Sequence, residues 1–214
     1  MSDAFSSSAE FGWTTDGTVL AGHDFYTIPA VLDELARFDV NRLLDIGSGT
    51  GGLANILTAR GYEVVGVEPD KGGVEIARKT FPNIKFYHFG IEDDPSALLH
   101  EDGRLFDCVL CTEVIEHLYA PHLLLTYASR VLRDDGIIIL STPYHGYWKN
   151  LALAIAGKWD HHLEPHWLGG HIKFWSRKTL AAFLTANGFE VIHFRGCGRL
   201  PWLWKSMMIT AKKH

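Results

Sequence analysis

The stretch LLDIGSGTGGLA, from Leu43 to Ala54, decides the fold, because it joins a short apolar strand to a helix through a glycine turn. Gly47, Gly49 and Gly51 alternate with other residues in that turn, and glycine lets a backbone turn sharply and lets a ligand approach it closely. The same pattern occurs in nucleotide and dinucleotide folds and in plain strand–helix turns, so other residues must decide between them.

Strand-like and helix-like segments alternate around this turn. Five short apolar runs with β-branched or aromatic residues predict strands: RLLDIG (42–47), EVVGVE (63–68), IKFYHFG (84–90), FDCVLCT (106–112) and GIIILSTP (136–143). Segments with helical spacing lie between them: GLANILTARG (52–61), KGGVEIARKTF (71–81) and HLLLTYASRVLR (122–133). This alternation predicts a parallel α/β sheet that binds its ligand at the carboxyl ends of the strands.

The pattern changes after Pro143. Residues 144–175 are rich in Trp, His and Gly, and only YWKNLALAIAGKW (147–159) has helical spacing. A predicted helix over 176–188 is followed by two strand-like runs that are close enough in sequence to form an antiparallel pair. We therefore expect a single domain over 1–214, with an N-terminal lid and helix over 1–40, a ligand-binding core over 41–142, a cap inserted after the fifth strand over 143–175, and a final helix and hairpin over 176–214.

Composition limits the possible functions. The chain has 47% apolar residues and a net charge of −5, which argues against a nucleic-acid partner, since phosphate binding shows as clustered Lys and Arg. Cys108, Cys111 and Cys197 cannot all pair, which favours reduced thiols and a cytoplasmic location. The first residues lack the basic start and apolar centre of a secretory signal, and we expect no membrane-spanning helix.

Two acidic residues define the ligand further. Asp45 lies at the end of the first strand, just before the glycines, and Glu68 ends the second strand. An acidic residue at the position of Glu68 can accept hydrogen bonds from both hydroxyls of a ribose. Together with the glycine turn, these residues indicate an adenosine ligand.

Three motifs in this order, LLDIGSGTG, VVGVEPD and FDCVLCTEVIEHL, resemble the class I S-adenosylmethionine-dependent methyltransferases. The resemblance runs from about Arg37 to the end of the chain. It implies a Rossmann-like, mostly parallel seven-stranded sheet with an antiparallel last strand and helices on both faces. A dinucleotide dehydrogenase fits less well, because the glycine spacing is G-x-G-x-G and no diphosphate-binding element follows.

The resemblance also assigns cofactor-binding residues. The three glycines would pass close to the methionine part of S-adenosylmethionine, and Glu68 would hold the ribose. Ile91 and Glu92 would flank the adenine, and Asp45 and Cys111 would complete the cofactor side. In the N-terminal segment we expect a helix from Ile28, with Phe25 and Tyr26 closing over the cofactor.

The segment CTEVIEHL, from Cys111 to Leu118, follows the fourth strand and is predicted to open a helix. On a helix, Glu113, Glu116 and His117 would share one face, because residues three and four positions apart are neighbours. One interpretation is a metal or acid–base site. The other is an ordinary helix start, whose acidic residues suit the positive end of the helix dipole.

A second segment favours the metal interpretation. Ubiquinone-biosynthesis O-methyltransferases and small-RNA 2′-O-methyltransferases use E-x-x-E-H as ligands for a divalent cation, with a further histidine after strand five, and His171 in GGHIKFWSR fits that pattern. The resemblance therefore implies Glu113, Glu116, His117 and His171 as ligands of Mg²⁺, Mn²⁺ or Zn²⁺, with His117 and Glu113 as catalytic residues. Without a metal, His117 could act as a general base.

We expect a methyltransferase that methylates an oxygen of a small phenolic, quinol-like or secondary-metabolite acceptor. The alternatives are a metal-independent N- or C-methyltransferase, an RNA 2′-O-methyltransferase, and a non-catalytic cofactor-binding module. His161, His162 and His166 could line the acceptor pocket, supply another ligand or be solvated loop residues. The apolar segment 147–159 is either a cap helix or a site of peripheral membrane contact.

Overall fold

The computed structural model of the protein describes residues 24–100, 103–163 and 170–214. Seven strands form its centre: β1 Arg42–Ile46, β2 Glu63–Glu68, β3 Lys85–His88, β4 Phe106–Thr112, β5 Leu132–Pro143, β6 Phe189–Cys197 and β7 Ser206–Lys213. Eight helices accompany them in the described part of the chain: α1 Asp24–Leu35, α2 Gly52–Thr58, α3 Lys71–Thr80, α4 Ser96–His100, α5 Pro121–Val131, α6 Tyr147–Ile155, α7 Trp159–Leu163 and α8 Arg177–Ala186.

The strands make one sheet in the order β3-β2-β1-β4-β5-β7-β6. The pairs from β3 to β5 are parallel, and β7 is antiparallel to both β5 and β6. This topology confirms the predicted mostly parallel sheet with an antiparallel last strand. The order changes direction beside β1, between β1 and β4, and ligands of open α/β sheets bind at such a point.

Two apolar layers cover the sheet. One layer contains side chains of α1, α2 and α3, including Val31, Leu57 and Val74. The other contains side chains of α5 and α8, including Leu124 and Leu180. Helices on both faces explain why the central strands are apolar along their whole length rather than alternating.

The structure changes some predicted boundaries. Strand β5 begins at Leu132 rather than Gly136, because Leu132 pairs with Phe106 before an irregularity in the register. The cap contains two helices, α6 and α7, where one was predicted. Helix α1 already includes Asp24, ahead of the predicted start at Ile28. Across the described ranges, no helix is both long enough and apolar enough to cross a membrane.

Candidate active site

The glycine turn lies between β1 and α2 at the carboxyl edge of the sheet. Gly47, Gly49 and Gly51 all have positive φ angles, of 76°, 52° and 85°, which side chains disfavour. A Cβ atom at Gly51 would also lie 2.6 Å from the ring of Phe86. The turn is therefore shaped by glycine at these positions, as the sequence predicts.

Glu68 holds the glycine turn in place. Its carboxylate accepts hydrogen bonds from the backbone N–H groups of Gly49 and Asp70, each at 2.9 Å. The side chain is 5% exposed, and burial raises its pKa while the two backbone donors lower it. Glu68 thus sits at the end of β2, with its carboxylate tied to the turn that the resemblance assigns to the cofactor.

Asp45 is buried beneath the same turn. Neither carboxylate oxygen has a hydrogen-bond partner among the described residues, and the residue is 1% exposed. Burial, and then the negative charge of Glu68, raise the pKa of Asp45 to about 7. A cationic ligand beside Asp45 would offset this cost, and S-adenosylmethionine carries an ammonium and a sulfonium group, so the residues fit this cofactor.

The remaining predicted cofactor residues lie at neighbouring strand ends. Ile91 is buried in a turn after β3, where the Gly90 N–H donates to Asp93 at 2.7 Å, and Glu92 in the same turn is exposed. Cys111 is fully buried near the end of β4, and burial raises the pKa of its thiol. All the predicted cofactor positions therefore lie on the carboxyl side of β1, β2, β3 and β4.

The predicted helix at CTEVIEHL is wrong. Residues after Thr112 form a turn with short-range bonds, in which the His117 N–H donates to the Val114 carbonyl at 2.9 Å. Helix α5 begins only at Pro121, which occupies its first turn. Because the segment is not helical, the helical argument for a shared face of Glu113, Glu116 and His117 does not hold, and their contacts follow from the turn.

Glu113 points toward two serines. Its φ is 52°, a left-handed conformation that is uncommon for residues other than glycine. Its carboxylate accepts hydrogen bonds from the hydroxyls of Ser141, at 2.8 Å, and Ser206, at 3.0 Å. Ser141 lies in β5 and Ser206 begins β7, so Glu113 connects the turn to both strands. Sequence reasoning did not identify either serine.

Charged and phenolic groups surround Glu113. Lys149 in α6 is buried, and burial lowers its pKa to about 8 although the charge of Glu113 acts in the opposite direction. Burial raises the pKa of the Tyr26 hydroxyl. A hydrogen bond with Ser206 lowers this pKa, and the charge of Glu113 raises it. Phe25, by contrast, is 75% exposed. The structure thus brings Tyr26, but not Phe25, to this part of the site.

Glu116, His117 and His171 converge. Each offers one ligand atom, and these atoms all lie within 4.8 Å of one another. The centroids of the His117 and His171 rings are 5.0 Å apart, and His117 Nε2 is 3.9 Å from Glu116 Oε1. Three of the four predicted metal ligands are therefore together, while Glu113 faces the two serines instead.

Glu116 is a buried acid beside the two histidines. It is 1% exposed, and neither carboxylate oxygen has a hydrogen-bond partner of good geometry among the described residues. Burial, and then the negative charge of Glu113, raise the pKa of Glu116 well above its usual range, and the nearby Thr142 hydroxyl lowers it only in part. A buried carboxylate without hydrogen bonds is costly unless it is protonated or bound to a cation.

Backbone bonds bring the distant His171 to this turn. The Glu116 carbonyl accepts from the N–H groups of Ile172, at 3.0 Å, and Lys173, at 2.9 Å. Two donors on one carbonyl fix the extended segment after residue 170 beside Glu116. The neighbouring His171 is thereby held next to His117, although 54 positions separate them in the sequence.

Two further histidines border the site. His145 follows β5 and is buried, and its Nε2 lies 3.4 Å from Nε2 of His162 in α7. The ring centroids of His162 and His171 are 6.0 Å apart. The sequence indicated His162 as a cap residue but gave no signal for His145. The predicted cap residue His166 lies outside the described residues.

The chain is similar to known methyltransferases in sequence and in fold. The family model described as "Methyltransferase domain" matches residues 20–194. A ubiquinone biosynthesis O-methyltransferase from Ruegeria sp. (strain TM1040) is 33% identical over 178 residues, covering 79% of this chain and 68% of that protein. Another of the same name, from Azorhizobium caulinodans, is 35% identical over 162 residues, covering 72% of this chain and 61% of the relative.

Solved structures show the same fold. Magnesium protoporphyrin IX methyltransferase from Synechocystis PCC 6803 with bound SAH matches with a TM-score of 0.65 and 16% identity, covering 88% of this chain and 82% of that chain. The family match spans most of the chain, which carries the glycine turn, Asp45 and Glu68 at the carboxyl edge of its parallel strands. The chain is therefore a member of the methyltransferase-domain family and an S-adenosylmethionine-dependent methyltransferase.

Proposed function

We propose that the protein methylates a hydroxyl oxygen of a small phenolic, quinol-like or secondary-metabolite acceptor with the help of a divalent cation. One observation carries this proposal, the convergence of Glu116, His117 and His171 within 4.8 Å. The names of the two relatives, both O-methyltransferases, support oxygen as the accepting atom. A small acceptor suits the net charge of −5 better than a nucleic acid does.

The three residues fit a divalent cation. Carboxylates suit Mg²⁺ and Mn²⁺, and imidazoles suit Zn²⁺, so the mixed set keeps all three ions as candidates. The buried Glu116 carboxylate, without a hydrogen-bond partner of good geometry in the described part of the chain, gives the strongest support. A cation held there would offset the cost of burying that charge.

Each residue has a proposed role. A bound cation would lower the pKa of the acceptor hydroxyl and fix its position. Glu116, His117 and His171 would hold the ion, and His117 would lie next to the acceptor. Glu113 acts on the same site through its charge, which raises the pKa of Glu116, while its serine bonds hold the turn. On the other side of the turn, Glu68 and Asp45 would bind the cofactor.

Metal binding and methyl transfer can be tested together. Calorimetry with Mg²⁺, Mn²⁺ and Zn²⁺ is expected to show binding to the wild type and at least tenfold weaker binding to Glu116→Gln and His171→Ala. A chelator is expected to stop methyl transfer to a panel of phenols and catechols, and added metal to restore it. His122→Ala, which changes an exposed histidine in α5, is the control.

Two results would contradict the cation. One is transfer that a chelator leaves unchanged. The other is a His171→Ala protein that responds to metal as the wild type does. In either case His117 would remain as a candidate general base of a metal-independent methyltransferase, which could act on nitrogen or carbon instead.

The surface of the cap supports the proposal of peripheral membrane contact. Helix α6 buries Lys149, whose ammonium donates to the Lys205 carbonyl at 2.8 Å, and exposes its large apolar side chains. Tyr147, Trp148 and Ile155 are 73%, 59% and 79% exposed. Such an arrangement suits the interface of a bilayer, where Trp and Tyr are enriched.

A cytoplasmic location is proposed from the three buried free thiols, Cys108, Cys111 and Cys197.

A further inference from the structure

A pair of histidines lies in the cap, apart from the three residues discussed above. His145 stands in the turn after β5, and His162 belongs to α7. Their Nε2 atoms face each other at 3.4 Å, and their ring centroids are 5.1 Å apart. Because Zn²⁺ binds histidine nitrogen at about 2.0–2.1 Å in tetrahedral geometry, two such ligands lie about 3.3–3.4 Å apart. The observed separation thus matches that of two histidines on one zinc ion.

The orientation of His145 supports the same conclusion. Its Nδ1 lies 3.3 Å from Oδ1 of Asn150, and an amide oxygen can accept a hydrogen bond only from a nitrogen that carries a proton. With Nδ1 protonated, a neutral His145 has its lone pair on Nε2, which is the atom that faces His162. Metal-ligating histidines almost always donate their other ring N–H to an oxygen in this way.

The surroundings of His145 keep its ring neutral and fixed. The residue is 7% exposed, and its backbone N–H donates to the Trp175 carbonyl at 3.1 Å. Its ring packs edge-on against Phe174, with centroids 5.1 Å apart. Burial, and then the charge of Lys149, lower the pKa of His145 to about 4. A neutral imidazole with an oriented lone pair is the form that binds transition metals.

We propose that His145 and His162 form a second cation site, which takes Zn²⁺ and joins α7 to the end of β5. The remaining coordination positions are open to water or to an oxygen of the acceptor. The ion would hold the short helix α7 against the turn that carries His145, next to His171. The site does not depend on the function proposed above, because it uses neither Glu116 nor His117.

Zinc stoichiometry tests this site. Metal-free protein is titrated with Zn²⁺ in competition with a chromophoric chelator. If both sites exist, the wild type binds two ions, His162→Gln and His145→Asn each bind one, and His162→Gln with Glu116→Gln binds none. Asn150→Leu, which removes the acceptor for His145 Nδ1, is expected to weaken the cap ion about 10- to 100-fold. The exposed His122→Gln is the matched control, and circular dichroism checks that each variant folds.

Hydrogen exchange gives a second readout. Zn²⁺ is expected to slow amide exchange over 159–163 in the wild type and in Glu116→Gln, and to leave it unchanged in His162→Gln. A protein that binds one zinc ion lost only in Glu116→Gln would overturn the cap site and leave the proposed function standing. One ion lost only in His162→Gln would support the cap site and contradict the catalytic cation for zinc. Equal zinc binding by wild type, His145→Asn and His162→Gln would also overturn the cap site.

Discussion

The Glu68 carboxylate accepts a hydrogen bond from the Gly49 N–H at 2.9 Å, which links the end of β2 to the glycine turn after β1. The side chain that is expected to bind the cofactor ribose therefore also shapes the loop beneath the methionine part. Its second oxygen is held by the Asp70 N–H at the start of α3. The carboxylate is thus oriented before any ligand arrives, which lowers the entropy lost on binding.

We expect Glu68→Ala to bind S-adenosylhomocysteine at least tenfold more weakly than the wild type. Hydrogen bonds from ribose hydroxyls to a carboxylate are charge-assisted and contribute on the order of 1.5–3 kcal/mol each. Calorimetry measures the affinity, and Glu190→Ala, which removes an exposed carboxylate on β6, is the control. An affinity within about twofold of wild type would mean that the ribose is held elsewhere.

Glu113→Ala is expected to lower the free energy of unfolding by about 1–3 kcal/mol, because the buried hydroxyls of Ser141 and Ser206 lose their acceptor. Glu113→Gly loses the same bonds but relieves the positive φ of 52°, which costs a side-chain-bearing residue roughly 1–2 kcal/mol. The glycine variant should therefore be the more stable of the two. Urea denaturation of both variants measures this, and an alanine variant as stable as the glycine variant would refute the strain.

Asp45 is expected to make the stability of the cofactor-free protein depend on pH. Burial raises its pKa from 3.8 to about 7 in the folded protein, so the folded state keeps a proton that the unfolded chain has lost. The stability that the folded protein keeps while Asp45 is protonated is fully present below about pH 3.8 and is lost as the pH rises through about 7. Asp45→Asn should remove this decline, so its stability relative to wild type should rise between pH 5 and pH 7.

Denaturant titrations at several pH values between 5 and 8 measure the effect. One proton bound only by the folded state gives a slope of about 1.4 kcal/mol per pH unit. Stability curves of the wild type and Asp45→Asn that run parallel over this range would show that Asp45 is already ionised in the folded protein.

The fold could be predicted because its signals are local. Short apolar runs between glycine, aspartate and proline marked the strands, and the glycine turn placed Asp45 and Glu68 at neighbouring strand ends. Parallel strands bring such ends to one edge whatever the details of the connections. The positions that the resemblance assigns to the cofactor therefore follow from the order of elements.

The arrangement of Glu113, Glu116 and the nearby histidines depends on contacts that no periodic pattern reveals. The helix predicted at Glu113 is wrong, and α5 begins instead at Pro121, because proline favours the first turn of a helix and disfavours helical backbone in the residue before it. That signal was available in the sequence. The approach of His171 to Glu116, by contrast, depends on backbone bonds to a segment without regular structure, and His145 had no motif to mark it.

Membrane contact through α6 leads to the last prediction. The wild type is expected to sediment with vesicles of phosphatidylcholine and phosphatidylglycerol, because Trp148 and Ile155 present apolar surface to the outside. Trp148→Glu and Ile155→Glu should each reduce the bound fraction several-fold, since a charged side chain resists transfer into the interface.

The matched control is Leu105→Glu, which changes another exposed apolar residue, 42% exposed, just before the amino end of β4. Helix α6 follows the carboxyl end of β5, so the two positions lie at opposite edges of the parallel sheet. Leu105→Glu should therefore bind vesicles as the wild type does. If all three variants bind alike, or if the wild type stays in the supernatant with vesicles present, α6 is a cap helix without a membrane role. Cofactor affinity measured on the same samples shows whether each of the three variants keeps its fold.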